Sequence, residues 1–223
     1  MYYWIFIFAI ILSVSTGSYA QTTSNDYDQE IRALAALDNF KTAFRFIENR
    51  VAEAQRELII LTEIPAPPFK TELRAAKFAE MLREAGADEV SIDEVGNVVA
   101  LRRGRTGNRV VAIEGHIDTV FPEGTDVTVK IRGDTLFAPG ISDDTRGLVV
   151  VLSILRAMEE ANIETDDNIL FIGTVGEEGL GDLLGVKHLL SDKGEKIDSW
   201  IAIDGGGIQN IVHRGLGSHR YRV

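Results

Sequence analysis

Four short motifs bring imidazole and carboxylate groups to the ends of apolar runs: His116-Ile117-Asp118, Ser142-Asp143-Asp144, Gly176-Glu177-Glu178-Gly179 and Ile203-Asp204-Gly205. One imidazole and several carboxylates are the donors that hard and borderline divalent cations take. Residues two apart on a strand share a face, so His116 and Asp118 can project together. One ring nitrogen is then available to a metal while Asp118 holds the ring and sets its tautomer. Taken alone, His-x-Asp is more often a surface turn at a strand end. Asp143 and Asp144 stand just before an apolar-rich stretch that starts at Gly147, where Asp144 or Thr145 would serve as an ordinary helix cap. In the functional reading, one of these two carboxylates bridges a pair of cations. Glu177-Glu178 is the most diagnostic pair. Neighbouring side chains diverge, so one can bind metal while the other faces a water as general base. Two acidic residues opening a helix are the competing reading, but the flanking glycines and the apolar run before them suit a site of close approach. Asp204 adds a carboxylate at another strand end, and Gly205-Gly206-Gly207 lacks the spacing of a phosphate loop. His188, His213 and His219 read as surface residues, the last two lying among Arg214, Arg220 and Arg222. No nucleophile elbow, His-Glu-x-x-His or phosphate-loop motif occurs.

The elements that must carry these groups alternate. Asp26 to Leu61 has apolar residues every three or four positions and predicts a helix, ended by Pro65-Ala66-Pro67-Pro68. Thr71 caps a second helix, Glu72 to Ala85, which stops at Gly86. Glu89–Asp93 and Val98–Arg102 form a hairpin around Gly96-Asn97, and Val127–Ile131 and Thr135–Ala138 another around Gly133-Asp134. Val110–Ile113, Ile169–Val175 and Trp200–Ile203 are buried strands. Gly147–Glu160 and Leu180–Leu190 are helices. Strands alternating with helices make an α/β layered domain with a partly parallel sheet. With 223 residues, 45% of them apolar, the chain can bury a sizeable core. Its net charge of -11 is spread along the chain, which excludes the basic face of a nucleic-acid binder. Residues 1–20 read as a secretory signal: Tyr3 to Leu12 is almost entirely apolar and Ser18-Tyr19-Ala20 ends in a small-x-small cleavage pattern. That places the protein in the periplasm or outside the cell, with no stable membrane insertion after cleavage. The absence of cysteine removes disulfides and thiolate metal sites.

In this order, the motifs resemble those of the co-catalytic dizinc exopeptidases, the family of peptidase T, carboxypeptidase G, succinyl-diaminopimelate desuccinylase and acetylornithine deacetylase. The resemblance runs from Thr62 to Val223 and rests on Gly115-His116-Ile117-Asp118-Thr119-Val120, Gly140-Ile141-Ser142-Asp143-Asp144 and Gly176-Glu177-Glu178-Gly179. It implies a zinc-exopeptidase-like α/β fold, a mixed and partly parallel sheet flanked by helices. It also implies two zinc ions: His116 and Asp204 on one, Glu178 on the other, Asp143 bridging, Glu177 as general base and Asp118 orienting His116. A cis peptide between Asp143 and Asp144 belongs to the same pattern. Thr145-Arg146-Gly147 departs from the Lys-Gly-Gly of many members, and Asp204 with its glycine-rich sequel leans towards the peptidase T-like branch. The family further has an inserted dimerisation domain and a late histidine ligand. Residues 21–223 therefore correspond to the N-terminal part of its catalytic domain, with Tyr221-Arg222-Val223 entering the insertion and a homodimer expected only with that domain. The implied reaction is hydrolysis of a peptide or amide bond in a small peptide-like substrate. The alternatives are an N-acyl amino acid deacylase and a catalytically silent metal- or peptide-binding protein. A chain of this extent is expected to be inactive by itself and marginally stable.

Overall fold

The computed structural model describes residues 24–191, 196–205 and 211–215. The signal segment 1–20, Gly206-Gly207, His219 and Tyr221-Arg222-Val223 lie outside the described residues. The chain divides into two compact units, Met1–Leu37 and Asp38–Val223. The described part of the first is helix α1 (Ser24–Ala36), exposed from Tyr27 onward and closed by the Leu37 N–H on the Leu34 carbonyl at 3.0 Å.

The second unit opens with α2 (Asp38–Asn49) and α3 (Val51–Thr62). The single helix expected over Asp26–Leu61 is therefore three. At the second break Arg50 leaves the helical region (φ -103°, ψ 13°) and its N–H reaches back only three residues, to Ile47 at 3.1 Å. An apolar stripe at three- and four-residue spacing survives a break of one residue, so periodicity cannot register it. Helix α4 (Glu72–Glu84) follows the proline segment and closes at Gly86, where φ is 100°. Its expected cap works through the main chain: the Thr71 carbonyl accepts the Ala75 N–H, while the hydroxyl makes no capping bond.

The remaining elements are β1 (Glu89–Ile92), β2 (Val98–Arg102), β3 (Val110–His116), the small hairpin β4 (Lys130–Arg132) and β5 (Thr135–Phe137), α5 (Arg146–Glu160), β6 (Asn168–Thr174), α6 (Leu184–Leu189) and β7 (Ser199–Ala202). The main sheet has the order β1-β2-β6-β3-β7. β1, β2 and β6 pair antiparallel, and β6, β3 and β7 run parallel, which is the mixed sheet the sequence predicts. Phe171 faces one layer of helices, packed with Leu148, Val151, Leu152 and Leu155 of α5 and Phe78 and Leu82 of α4. Leu170 and Ile172 face the other side with Ala112 and Leu189 of α6. A strand buried on both faces has to be continuously apolar, which is why residues 169–172 do not alternate. Each fully buried Leu or Phe of this core contributes about 1.5–3 kcal/mol. Among the described residues no helix is long and apolar enough to cross a membrane.

The helix expected from Leu180 to Leu190 is shorter. A single tight turn, Gly179–Gly181, is followed by Asp182 and Leu183 in left-handed conformation (φ 53° and 59°), and α6 begins only at Leu184. The chain spends those residues turning back beneath the end of β6, where the N–H of Gly185 meets the Val175 carbonyl at 2.8 Å.

Candidate metal centre

Parallel strands end together, so β3, β6 and β7 deliver their following residues to one edge of the sheet. His116 closes β3, pairs with Thr174 of β6 and is 2% exposed. Its Nε2 lies 2.9 Å from Asp143 Oδ1, 3.8 Å from Asp204 Oδ1 and 4.0 Å from Glu177 Oε2. Among the described residues two donor groups result, His116 with Asp143 and Asp204, and His116 with Glu177 and Glu178. Within each, the ligand atoms lie within 4.8 Å of one another. A tetrahedral cation with bonds of about 2.0–2.1 Å holds its ligands roughly 3.3 Å apart, so small rotations of the carboxylates suffice. Asp143 and Asp204 have that freedom, their side chains being 59% and 60% exposed, whereas the imidazole is fixed. Nitrogen and oxygen donors with no thiolate suit zinc and other divalent ions.

The ring is held on its far side by the main chain. His116 Nδ1 lies 2.9 Å from the carbonyl oxygen of Asp118, so that nitrogen carries a proton. Burial pushes the imidazole pKa down, but the carboxylates of Asp144, Asp118 and Glu177 and the hydrogen bond to Asp143 outweigh it, and the net shift is upward. Acceptors at both nitrogens favour the doubly protonated ring, in the same direction as that shift. A cation at Nε2 takes the place of that second proton.

The carboxylate of Asp118 lies beside the ring, Oδ1 3.9 Å from Nδ1, beyond hydrogen-bond distance, so the residue holds the imidazole through its carbonyl. Fully buried, the carboxylate accepts the N–H groups of Glu177 at 3.2 Å and Glu178 at 3.0 Å. The strand ends at His116, so the alternation that would set residues 116 and 118 on one face stops there. Asp118 thus fixes the turn that presents the glutamate pair. Gly176 (φ 68°) makes that turn possible, and buried Asn97 anchors its start by accepting the Val175 N–H at 3.0 Å. Burial raises the pKa of both Glu177 and Glu178, with neighbouring carboxylates adding to it.

The two aspartates divide their work. Asp143 faces the imidazole. Asp144, 1% exposed, accepts the His116 N–H at 3.0 Å and the Gly147 N–H at 3.1 Å, capping α5 and tying it to β3. The peptide between them is cis. Burial lifts the Asp144 pKa to about 8 against the opposing pull of His116. A Cβ on Gly147 would overlap the Asp144 carboxylate, which would have to shift from the two N–H groups it accepts.

Sequence reading passed over two buried groups. Glu114, on the same face of β3 as His116, accepts the Thr174 hydroxyl. Arg74 of α4 has no exposure and donates to the carbonyls of Ile64 and Ile117, both at 2.9 Å, and of Thr62 at 3.3 Å. Its signal was present: Arg74, Phe78 and Leu82 recur every four residues along the buried stripe. His188 lies 3.5 Å from Glu94 and His213 is exposed; neither joins the donor groups.

Residues 112–215 match the sequence profile of peptidase family M20/M25/M40. Over 119 residues the chain is 36% identical to a Pyrococcus abyssi protein provisionally named LysW-lysine/LysW-ornithine hydrolase, covering 53% of this chain and 32% of that one. The structure of aminopeptidase PepT from Bacillus cereus superposes with a TM-score of 0.58 at 23% identity, covering 69% of this chain and 43% of its own. A tripeptidase from Staphylococcus aureus gives 0.56 at 25% identity with the same coverages. The chain spans about a third of the length of the curated relatives it matches.

Proposed function

We propose that the chain, whose residues 112–215 match the profile of peptidase family M20/M25/M40, holds two divalent cations, zinc first, and hydrolyses a peptide or amide bond of a small peptide-like substrate. One observation carries this reading: carboxylates from distant stretches of chain converge on a single imidazole nitrogen. His116 and Asp204 are assigned to one ion, Glu178 to the other, and Asp143 to the position between them. When bound, the ions supply Lewis acidity to the scissile carbonyl and to the attacking water, and offset the negative charge of the cluster.

Glu177 is assigned as general base. Its Oε2 faces the cluster at 4.0 Å from His116 Nε2, and it takes a proton from the water and hands it to the leaving amine. Burial raises its pKa, the direction that suits a proton carrier near neutral pH. Asp118 holds the Glu177 and Glu178 main chain so that the two side chains diverge. Peptides and N-acyl amino acids share the amide that this arrangement attacks. The apolar run Tyr3–Leu12 followed by Ser18-Tyr19-Ala20 supports an exported enzyme, periplasmic or secreted.

The test is zinc stoichiometry together with turnover of di- and tripeptides and N-acetyl amino acids. Glu177→Gln is expected to retain zinc and lose turnover by a factor on the order of 10²–10⁴. Retained turnover removes the base assignment. Zinc binding without turnover in the unmodified chain makes this a metal-binding protein, and no zinc binding removes the centre itself.

A further inference from the structure

We propose that Arg74 is a positioning residue of the metal centre: its guanidinium pins the main chain between His116 and Asp118 and so sets the direction of the imidazole. The proposal rests on the metal-centre reading above. Burying a guanidinium costs several kcal/mol unless hydrogen bonds and charge compensate it. A simple link between α4 and a loop could be made by a neutral side chain. Arg74 instead spends its donors on three main-chain oxygens, one of them at the centre's edge. Nη1 meets the Ile117 carbonyl at 2.9 Å, while Nε and Nη2 hold Ile64 and Thr62 at the end of α3.

The Ile117 residue is held from both sides. Its N–H is bonded to the Thr174 carbonyl at 2.7 Å and its carbonyl to Arg74. The next carbonyl along, that of Asp118, holds His116 Nδ1 at 2.9 Å. The Asp118 carboxylate then holds the N–H groups of Glu177 and Glu178. Release of the Ile117 carbonyl would therefore loosen both donor groups at once. The loop before α4 is tied to the same place, because the Ala66 carbonyl accepts the N–H of Thr119 at 3.0 Å. The counter-charge is at hand too: Asp118 acts electrostatically on Arg74.

Two effects of the guanidinium on a bound cation have opposite signs. Its positive charge repels the cation, so removal of charge alone would tighten binding. Its pinning keeps the donors aimed, and loss of a partner that orients metal ligands weakens binding by about 10–100-fold. Arg74→Lys separates the two. An ammonium keeps the charge but cannot span Ile64 and Ile117 as the planar fork does.

Zinc affinity measured against a competing chelator, with the visible spectrum of the cobalt-loaded protein, tests the proposal. Arg74→Lys is expected to bind zinc about tenfold more weakly or worse, with a shifted cobalt spectrum and unchanged circular dichroism. Should that variant not fold, Arg74→Gln serves. There the loss of charge favours binding, so a tenfold weakening is the stricter outcome. Affinity within twofold of the parent in a folded variant, with the same cobalt spectrum, overturns the positioning role. If the parent itself binds no zinc, the metal-centre reading falls instead, so the two failures are distinguishable.

Discussion

An imidazole with acceptors at both nitrogens holds its second proton more tightly than a free one, and a cation at Nε2 competes with that proton. His116 is in that position, between the Asp118 carbonyl and the Asp143 carboxylate. Its pKa is raised by surrounding carboxylates, and those of Glu177 and Glu178 are raised chiefly by burial. All three shifts favour the protonated forms, and metal binding must release those protons. Zinc affinity is therefore expected to fall steadily as pH is lowered from about 8 to 6, more steeply than for an unshifted histidine alone. A flat titration across that range, read by competition at constant ionic strength, contradicts the assignment. The glycine beside Asp144 offers a second check. Gly147→Ala places a methyl against a carboxylate that already accepts two N–H groups, and leaving buried donors unpaired costs about 1–3 kcal/mol. Denaturant midpoints should show that loss, and a neutral result would mean that Asp144 has room to move. At this scale the ligand-type residues and the helix-capping role of Asp144 are readable from their chemistry, but Arg74 and the bond from the His116 N–H to Asp144 are not, because they join groups distant in sequence.

Elements decide how these residues meet. Helix α5 inserts Leu148, Val151, Leu152 and Leu155 beneath the sheet, all without exposure. Leu152→Ala is expected to cost about 2–5 kcal/mol in chemical denaturation while leaving zinc stoichiometry unchanged, since Leu152 lies in the core rather than in either donor group. Asn97 behaves differently. It joins the turn between β1 and β2 to the end of β6 through the Val175 N–H and the Gly185 carbonyl. Asn97→Ala should cost about 1–3 kcal/mol and also weaken zinc binding, because Val175 leads directly into Gly176 and Glu177. A variant destabilised to that extent with parental zinc affinity would show that the glutamate turn is held by Asp118 alone. Hydrophobic periodicity placed the strands within two or three residues. It missed the break at Arg50 and the left-handed pair Asp182-Leu183, since neither disturbs the apolar spacing on either side.

On the scale of the molecule, a ligand that binds only the folded chain stabilises it by mass action, about 2.7 kcal/mol at a hundred times Kd. Zinc should raise the melting temperature and a chelator should reverse the rise, whereas a chelator without effect argues against a centre built from parts of three strands and a helix cap. Several properties needed no coordinates. The alternation of apolar runs and helices marked an α/β layered chain, and the donor types excluded thiolate chemistry, because periodicity and side-chain chemistry are local. Other properties required long-range pairing. The order β1-β2-β6-β3-β7 puts the ends of β6, β3 and β7 side by side, and so brings residues 116, 177 and 204 to one edge. The partner of the Asp118 carboxylate and the placement of Arg74 behind Ile117 follow from that edge, since the groups that satisfy a buried charge are chosen by neighbours in space and not along the chain.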